Sequence, residues 1–177
     1  HSLSGGIHLQ SITANTLVSA VLVQGNTFSG TNGMQTAIYL VNMEDQVISD
    51  GSVVGTNIFM PDAMGHQLFR IHPIRLQNVD QTMVSNVNLS YTGSTFPTLS
   101  GFGLYSLSCD SLTVVNCTVD TRASGIQVGS GSDVRVLNNT LSNVSSASNN
   151  GGIHLQNITA NTLASAVLVQ GNTFSGT

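Results

Sequence analysis

Charge is the first thing this sequence lacks. Charged residues fill 7% of its 177 positions, against about 25% in an average soluble domain. The four basic residues are all arginines (Arg70, Arg75, Arg122 and Arg135), and the net charge is −4. A nucleic-acid groove needs clustered cations, so no nucleic-acid partner is expected. Two cysteines and no CxxC or Cys/His pattern leave no zinc motif. No apolar run approaches the roughly 20 residues of a membrane-spanning helix, so no such span is expected. Nor is there an initiator Met or a signal peptide, and His1 reads as a processed or arbitrarily chosen start. Disordered chains combine high charge with low hydrophobicity; here hydrophobic residues reach 40%.

What fills the chain instead is Asn, Ser, Thr and Gly, the residues of turns and of stacked hydrogen-bonding side chains. Sequons at Asn88, Asn116, Asn138, Asn143 and Asn157 are expected by chance in so Asn-rich a sequence.

The chain repeats itself. Residues 6–31 read GIHLQSITANTLVSAVLVQGNTFSGT and residues 152–177 read GIHLQNITANTLASAVLVQGNTFSGT. Only Ser11/Asn157 and Val18/Ala164 differ, at an offset of 146 residues. Residues 1–151 therefore form one full unit, and 152–177 open the next. A shorter period lies inside the unit. An apolar x-I-x-L-x pattern recurs at Ile7, Ile38, Ile74, Leu104, Ile126 and Ile153. A second block follows each of the first five anchors: VLVQGNTF (21–28), SVVGTNIF (52–59), TMVSNVNL (82–89), LTVVNCTV (112–119) and VRVLNNTL (134–141). Anchor to block end spans 15 residues from Ile74, Leu104 and Ile126, and 21 from Ile7 and Ile38. The first two stretches thus read as the same arc with about six residues inserted.

Period-2 alternation in β-branched blocks punctuated by Gly and Asn predicts strands with one face inward, not helices. A repeat of 20–30 residues cannot bury that face alone, but stacked coils can. The expected fold is all-β, a right-handed parallel β-helix of about five coils per 146-residue unit. The sequence resembles the pectin-lyase-like superfamily of such solenoids, best over residues 125–146, GIQVGSGSDVRVLNNTLSNVSS. That resemblance implies the fold well and the function poorly.

Stacking sets equivalent residues about 4.8 Å apart, so sites are sought by column. Inward columns are Ile7, Ile38, Ile74, Leu104, Ile126; Leu9, Leu40, Leu76, Ser106, Val128; Val23, Val54, Val84, Val114, Val136; and Phe28, Phe59, Leu89, Val119, Leu141. Cys109 and Cys117 fall inward in different columns and read as buried free thiols. Asn26, Asn57 and Asn139 share a column interrupted by Val87 and Cys117. The resemblance implies that such Asn residues stack at a turn and serve structure. An outward stripe, His8, Tyr39, Arg75, Tyr105, Gln127 and His154, is a candidate glycan or partner surface. Six residues past their anchors lie Glu44, Asp80 and Asp110, with Asp133 one position further on. These acids make Asp80, Asp110 and Asp133 a calcium candidate against a turn-capping reading. No other cofactor is expected. The least repetitive segment, MPDAMGHQLFRIHPIRLQ, gathers Asp62, His66, Arg70, His72 and Arg75 as a candidate functional loop.

Two function classes remain. The first is a structural module of an extracellular or cell-surface fibre or repetitive adhesin, whose partners are copies of itself. Near-identical units stack without mismatch, and no polar capping helix is visible at either end. The second, implied by the resemblance, is a carbohydrate partner: a polysaccharide-binding shaft of phage tail-fibre type, or a lyase or hydrolase. The sequence lacks the paired-Asp and Gly-His-Gly patterns of the polygalacturonase branch, with Gly65-His66-Gln67 only a partial echo. An enzyme is therefore the less favoured reading, and no catalytic residue is assigned.

Overall fold

A computed structural model describes residues 5–12, 21–30, 36–56, 70–71, 73–92, 100–120, 124–144, 151–159 and 167–175. Among them there is no helix, and nineteen strands carry the fold. All of their pairings are parallel. The protein is thus all-β, with parallel sheets that curl.

Each passage of the chain adds one strand to each of three parallel ladders. In the first, Ile7 pairs with Ile38, Ile38 with Ile74, Ile74 with Leu104, Leu104 with Ile126, and Ile126 with Ile153. The predicted anchor column is therefore continuous through six passes. Leu9, Leu40, Leu76, Ser106 and Val128 form the parallel column two residues on, ending at Leu155. From Ile38 to Val128 both columns are buried.

The second and third ladders correct the expected register in one pass. Val23 pairs with Ile48, not with Val54, and Ile48 pairs with Val84. Beyond it the column runs Val114, Val136 and Val169. Phe28 pairs with Val53, not with Phe59, and Val53 with Leu89. That column then continues through Val119 and Leu141 to Phe174. The pass from Ile38 therefore has the same arc as its three successors. Its surplus lies after Thr56, where residues 57–69 are outside the described set. Only the repeated segments starting at Ile7 and Ile153 carry the longer arc. The strand Thr36–Ser49 runs unbroken through the first and second ladders, as does Ile74–Ser85.

Turns between ladders are made by residues in left-handed conformation. One column of them is Gly25, Asp50, Asn86, Asn116, Asn138 and Gly171, with φ between 53° and 67°. Left-handed φ costs most L-residues about 1–2 kcal/mol; Gly, Asn and Asp tolerate it best, and only they occur here. The Asn and Gly punctuation of the sequence is thus a ladder of bends that directs each strand into the next face.

Candidate functional site

The outward stripe assembles as predicted. His8, Tyr39, Arg75, Tyr105, Gln127 and His154 are consecutive register partners on the first ladder. Period-2 alternation puts them outward because the inward positions on either side fill the two buried columns. The imidazole of His8 stacks on Tyr39, with centroids 4.8 Å apart and planes 18° from parallel. From the following pass, the Arg75 guanidinium carbon lies 4.9 Å from the Tyr39 ring centroid. Tyr39 Oη donates to Gln77 Oε1 at 3.0 Å, and Arg75 Nη2 donates to the same oxygen at 3.4 Å. Tyr105 packs in tilted contact with Phe102, with centroids 5.9 Å apart. A sugar ring binds an aromatic residue through a free ring face. Both faces of Tyr39 are occupied, one by its predecessor and one by its successor. The stripe's upper half therefore ties passes together, at about 0.5–1.5 kcal/mol per ring contact.

The asparagine column is partly as expected. Asn139 is buried, and its Oδ1 accepts from Cys117 N at 2.9 Å. Its Nδ2 donates to Val114 O at 3.1 Å and to Asn172 Oδ1 at 2.9 Å. Asn172 repeats the pattern, donating to Val136 O at 2.8 Å. Each amide oxygen thus satisfies a backbone N–H of the preceding pass, Cys117 N or Asn139 N, and each amide nitrogen adds a bond to one of its carbonyls. Asn26 occupies the same column and donates to Gln24 O at 3.1 Å. Asn57 does not belong to the column: its place is taken by Gly51, whose carbonyl accepts from Asn88 N just as those of Val87 and Cys117 accept from Thr118 N and Thr140 N. Asn57 itself lies outside the described residues.

The acids form two adjacent ladders rather than one cluster. Glu44 pairs in register with Asp80, and Asp80 Oδ1 accepts from Asp110 N at 3.3 Å. Asp110 Oδ1 accepts from Ser132 Oγ at 2.9 Å. Asp133 stands one column over, where it accepts from Ser111 Oγ at 3.5 Å and pairs with Arg135 Nε at 3.3 Å. Among the described residues no three His, Cys, Asp or Glu side chains are grouped to hold a metal. Asp80 thus caps the turn of the following pass, and Asp110 and Asp133 bond serine hydroxyls of neighbouring passes. Another carboxylate missed at the sequence level, that of Asp50, accepts from Gln24 Nε2 at 3.0 Å and Asn86 Nδ2 at 3.1 Å. Those side-chain hydrogen bonds, Gln24 first, hold its pKa below the ordinary carboxyl value of 3.8. The left-handed turn column was the available signal for it.

Cys109 and Cys117 are buried and unbridged. Burial pushes both thiols up, Cys117 to about 11. Of the candidate loop, Asp62, His66 and His72 lie outside the described residues. The backbone of Arg70 pairs with Ser100, on a short strand beside the first ladder.

No family model matches the chain, and no curated protein or solved structure is significantly similar to it.

On the pass from Ile153, the strands Leu168–Gln170 and Thr173–Ser175 of the second and third ladders pair with Arg135–Leu137 and Thr140–Ser142. Val169 is 47% exposed and Phe174 54%, although both occupy inward columns. Their equivalents in the first copy of the repeat are covered by the following pass: Val23 is 4% exposed, and Phe28 is half-buried.

Proposed function

We propose that the chain is a right-handed parallel β-helix whose role is structural. It is a module of an extracellular or cell-surface fibre or repetitive adhesin, and like units continue it end to end. The carrying observation is the double setting of one 26-residue segment. Within residues 152–177, the strands Ile153–Leu155, Leu168–Gln170 and Thr173–Ser175 lie in register on the pass Ser124–Ser142. Across residues 6–31, the strands Gly5–Gln10, Val21–Gln24 and Thr27–Gly30 lie in register against the pass Thr36–Thr56. The two settings are opposite sides of one junction. Overlaying the two copies builds a rod of five passes per unit, without mismatch at any seam and with the inward columns unbroken.

Several features suit such a rod. Its passes are tied by ring stacking, carboxylate caps and an amide ladder, all between one pass and the next. Five passes rise by about 24 Å at about 4.8 Å each. Electron microscopy and fibre diffraction of the native material test the reading. Unbranched rods with a 4.8 Å axial spacing are expected; discrete globular particles without end-to-end association would overturn it.

A further inference from the structure

The third ladder carries two rows of short polar residues on its outer side. The first row is Thr27, Ser52, Asn88, Thr118, Thr140 and Thr173, each the register partner of the next. Two residues further along each strand runs the second row: Ser29, Val54, Ser90, Asp120, Ser142 and Ser175. Alternation about the buried Leu89, Val119 and Leu141 turns Asn88 and Ser90, Thr118 and Asp120, and Thr140 and Ser142 outward. Asn88, Thr118 and Thr140 are exposed, and their second-row neighbours are half-buried. Within a row the step is about 4.8 Å, and the rows stand about 6.6 Å apart, two residues of extended strand.

We propose that this face is an ice-binding surface, whose partner is the lattice of crystalline water. The proposal goes beyond the structural role and does not depend on it. What the face lacks narrows the partner. Among its described residues the one charge is Asp120, whose Oδ1 already accepts from Asn143 Nδ2 at 2.8 Å. There is no aromatic ring to stack on a sugar, no cation for a phosphate, and no large apolar anchor for a protein. What it offers is a fixed two-dimensional array of hydroxyl and amide groups, with a methyl beside each threonine hydroxyl. The oxygens of hexagonal ice repeat along two directions at spacings close to those of the rows.

Adsorption to ice requires groups that hold water in place before the crystal reaches them. Side chains that must first be immobilised lose affinity to that cost. Threonine is stiff at its first torsion, and the parallel ladder fixes its backbone on both sides. The fold itself does not demand this chemistry. The corresponding outward row of the second ladder is Leu22, Val47, Met83, Thr113 and Arg135, on strands of the same parallel kind. The 146-residue repeat keeps the array in phase, since Thr27 and Ser29 recur as Thr173 and Ser175.

The full 177-residue chain tests this by nanolitre osmometry and by the shape of ice grown in its solution. A freezing point depressed below the melting point, with faceted crystals, is expected. Thr118→Lys and Thr140→Lys each set a long, strongly hydrated cation in the first row, and each should cut the thermal hysteresis at least tenfold. Met83→Lys, at a site 44% exposed on the second ladder, should leave it unchanged. Urea unfolding of each variant separates loss of binding from loss of fold. A second arm needs no substitution: the chain, labelled at its amino terminus, should enter slowly grown ice rather than be swept ahead of it. Equal freezing and melting points, or exclusion of the labelled chain from the ice, would overturn the proposal. So would an equal loss in Met83→Lys, which would place the effect on another face. Rods with the 4.8 Å spacing but no effect on ice would sink this proposal and leave the structural reading standing.

Discussion

Replacing Asn139 by valine isolates the contribution of the amide ladder. Valine fits the column, because Val87 occupies the same place two passes earlier, so the change removes hydrogen bonds with little change of shape. One backbone group, Cys117 N, 2.9 Å from Asn139 Oδ1, loses its partner, and Val114 O, 3.1 Å from Asn139 Nδ2, loses a bond beyond those of its strand ladder. Asn139 is 1% exposed, so water does not replace the lost bonds. Leaving a buried backbone group unsatisfied costs about 1–3 kcal/mol. That N–H, with about 1 kcal/mol for the bond lost at the carbonyl and less the gain from a buried aliphatic side chain, gives a loss of about 2 kcal/mol. With a urea dependence of about 1–3 kcal/mol per molar for a small protein, the unfolding midpoint falls by about 0.7–2 M. Hydrogen exchange gives the local readout. Protection of the Cys117 amide should drop, while that of Asn116, which donates to Leu137 O at 3.1 Å, follows only the global loss. Asn26→Val, in the same column on the half-buried first pass, should cost under about 0.5 kcal/mol. A midpoint shift for Asn139→Val no larger than for Asn26→Val would refute the reasoning.

Three further outcomes follow from the geometry. Gly131 has φ +147°, and a Cβ there would lie 1.9 Å from Cys109 O, so Gly131→Ala should destabilise by about 3 kcal/mol or more in urea unfolding; Gly25→Ala, at φ +65° with open space around it, should cost only about 1 kcal/mol. Burial raises the Cys117 thiol from 9.0 to about 11, so the unfolded chain loses that proton first and stability should fall as pH rises from 9 to 11; Cys117→Val should flatten the slope, and an unchanged slope would assign it to other groups. Asp50 titrates below 3.8 because Gln24, then Asn86 and Ser49, bond its carboxylate; stability from those bonds is present above that value and lost as pH falls through the lower folded one. Asn86→Ala should raise the Asp50 value in a carbon-detected NMR titration, and no movement would remove Asn86 as a cause.

The anchor ladder was legible in the sequence to the residue. Ile38, Ile74, Leu104, Ile126 and Ile153 could be aligned because the apolar alternation recurs there with no rival run nearby, and the outward stripe came with it since side-chain direction has period 2. The 146-residue unit required only matching letters. The second arc of the pass from Ile38 was not legible. Residues 47–49 and 53–55 both read as short apolar strands, and propensity cannot rank them. What decided between them was pairing. Ile48 must hydrogen-bond in step with Val23 on one side and Val84 on the other, and only a ten-residue arc from Ile38 keeps both ladders in register. Six extra residues inside that arc would displace the strand from both neighbours. Local patterning therefore chose which residues face inward, and the parallel ladder, a condition on three passes at once, chose which strand stands over which.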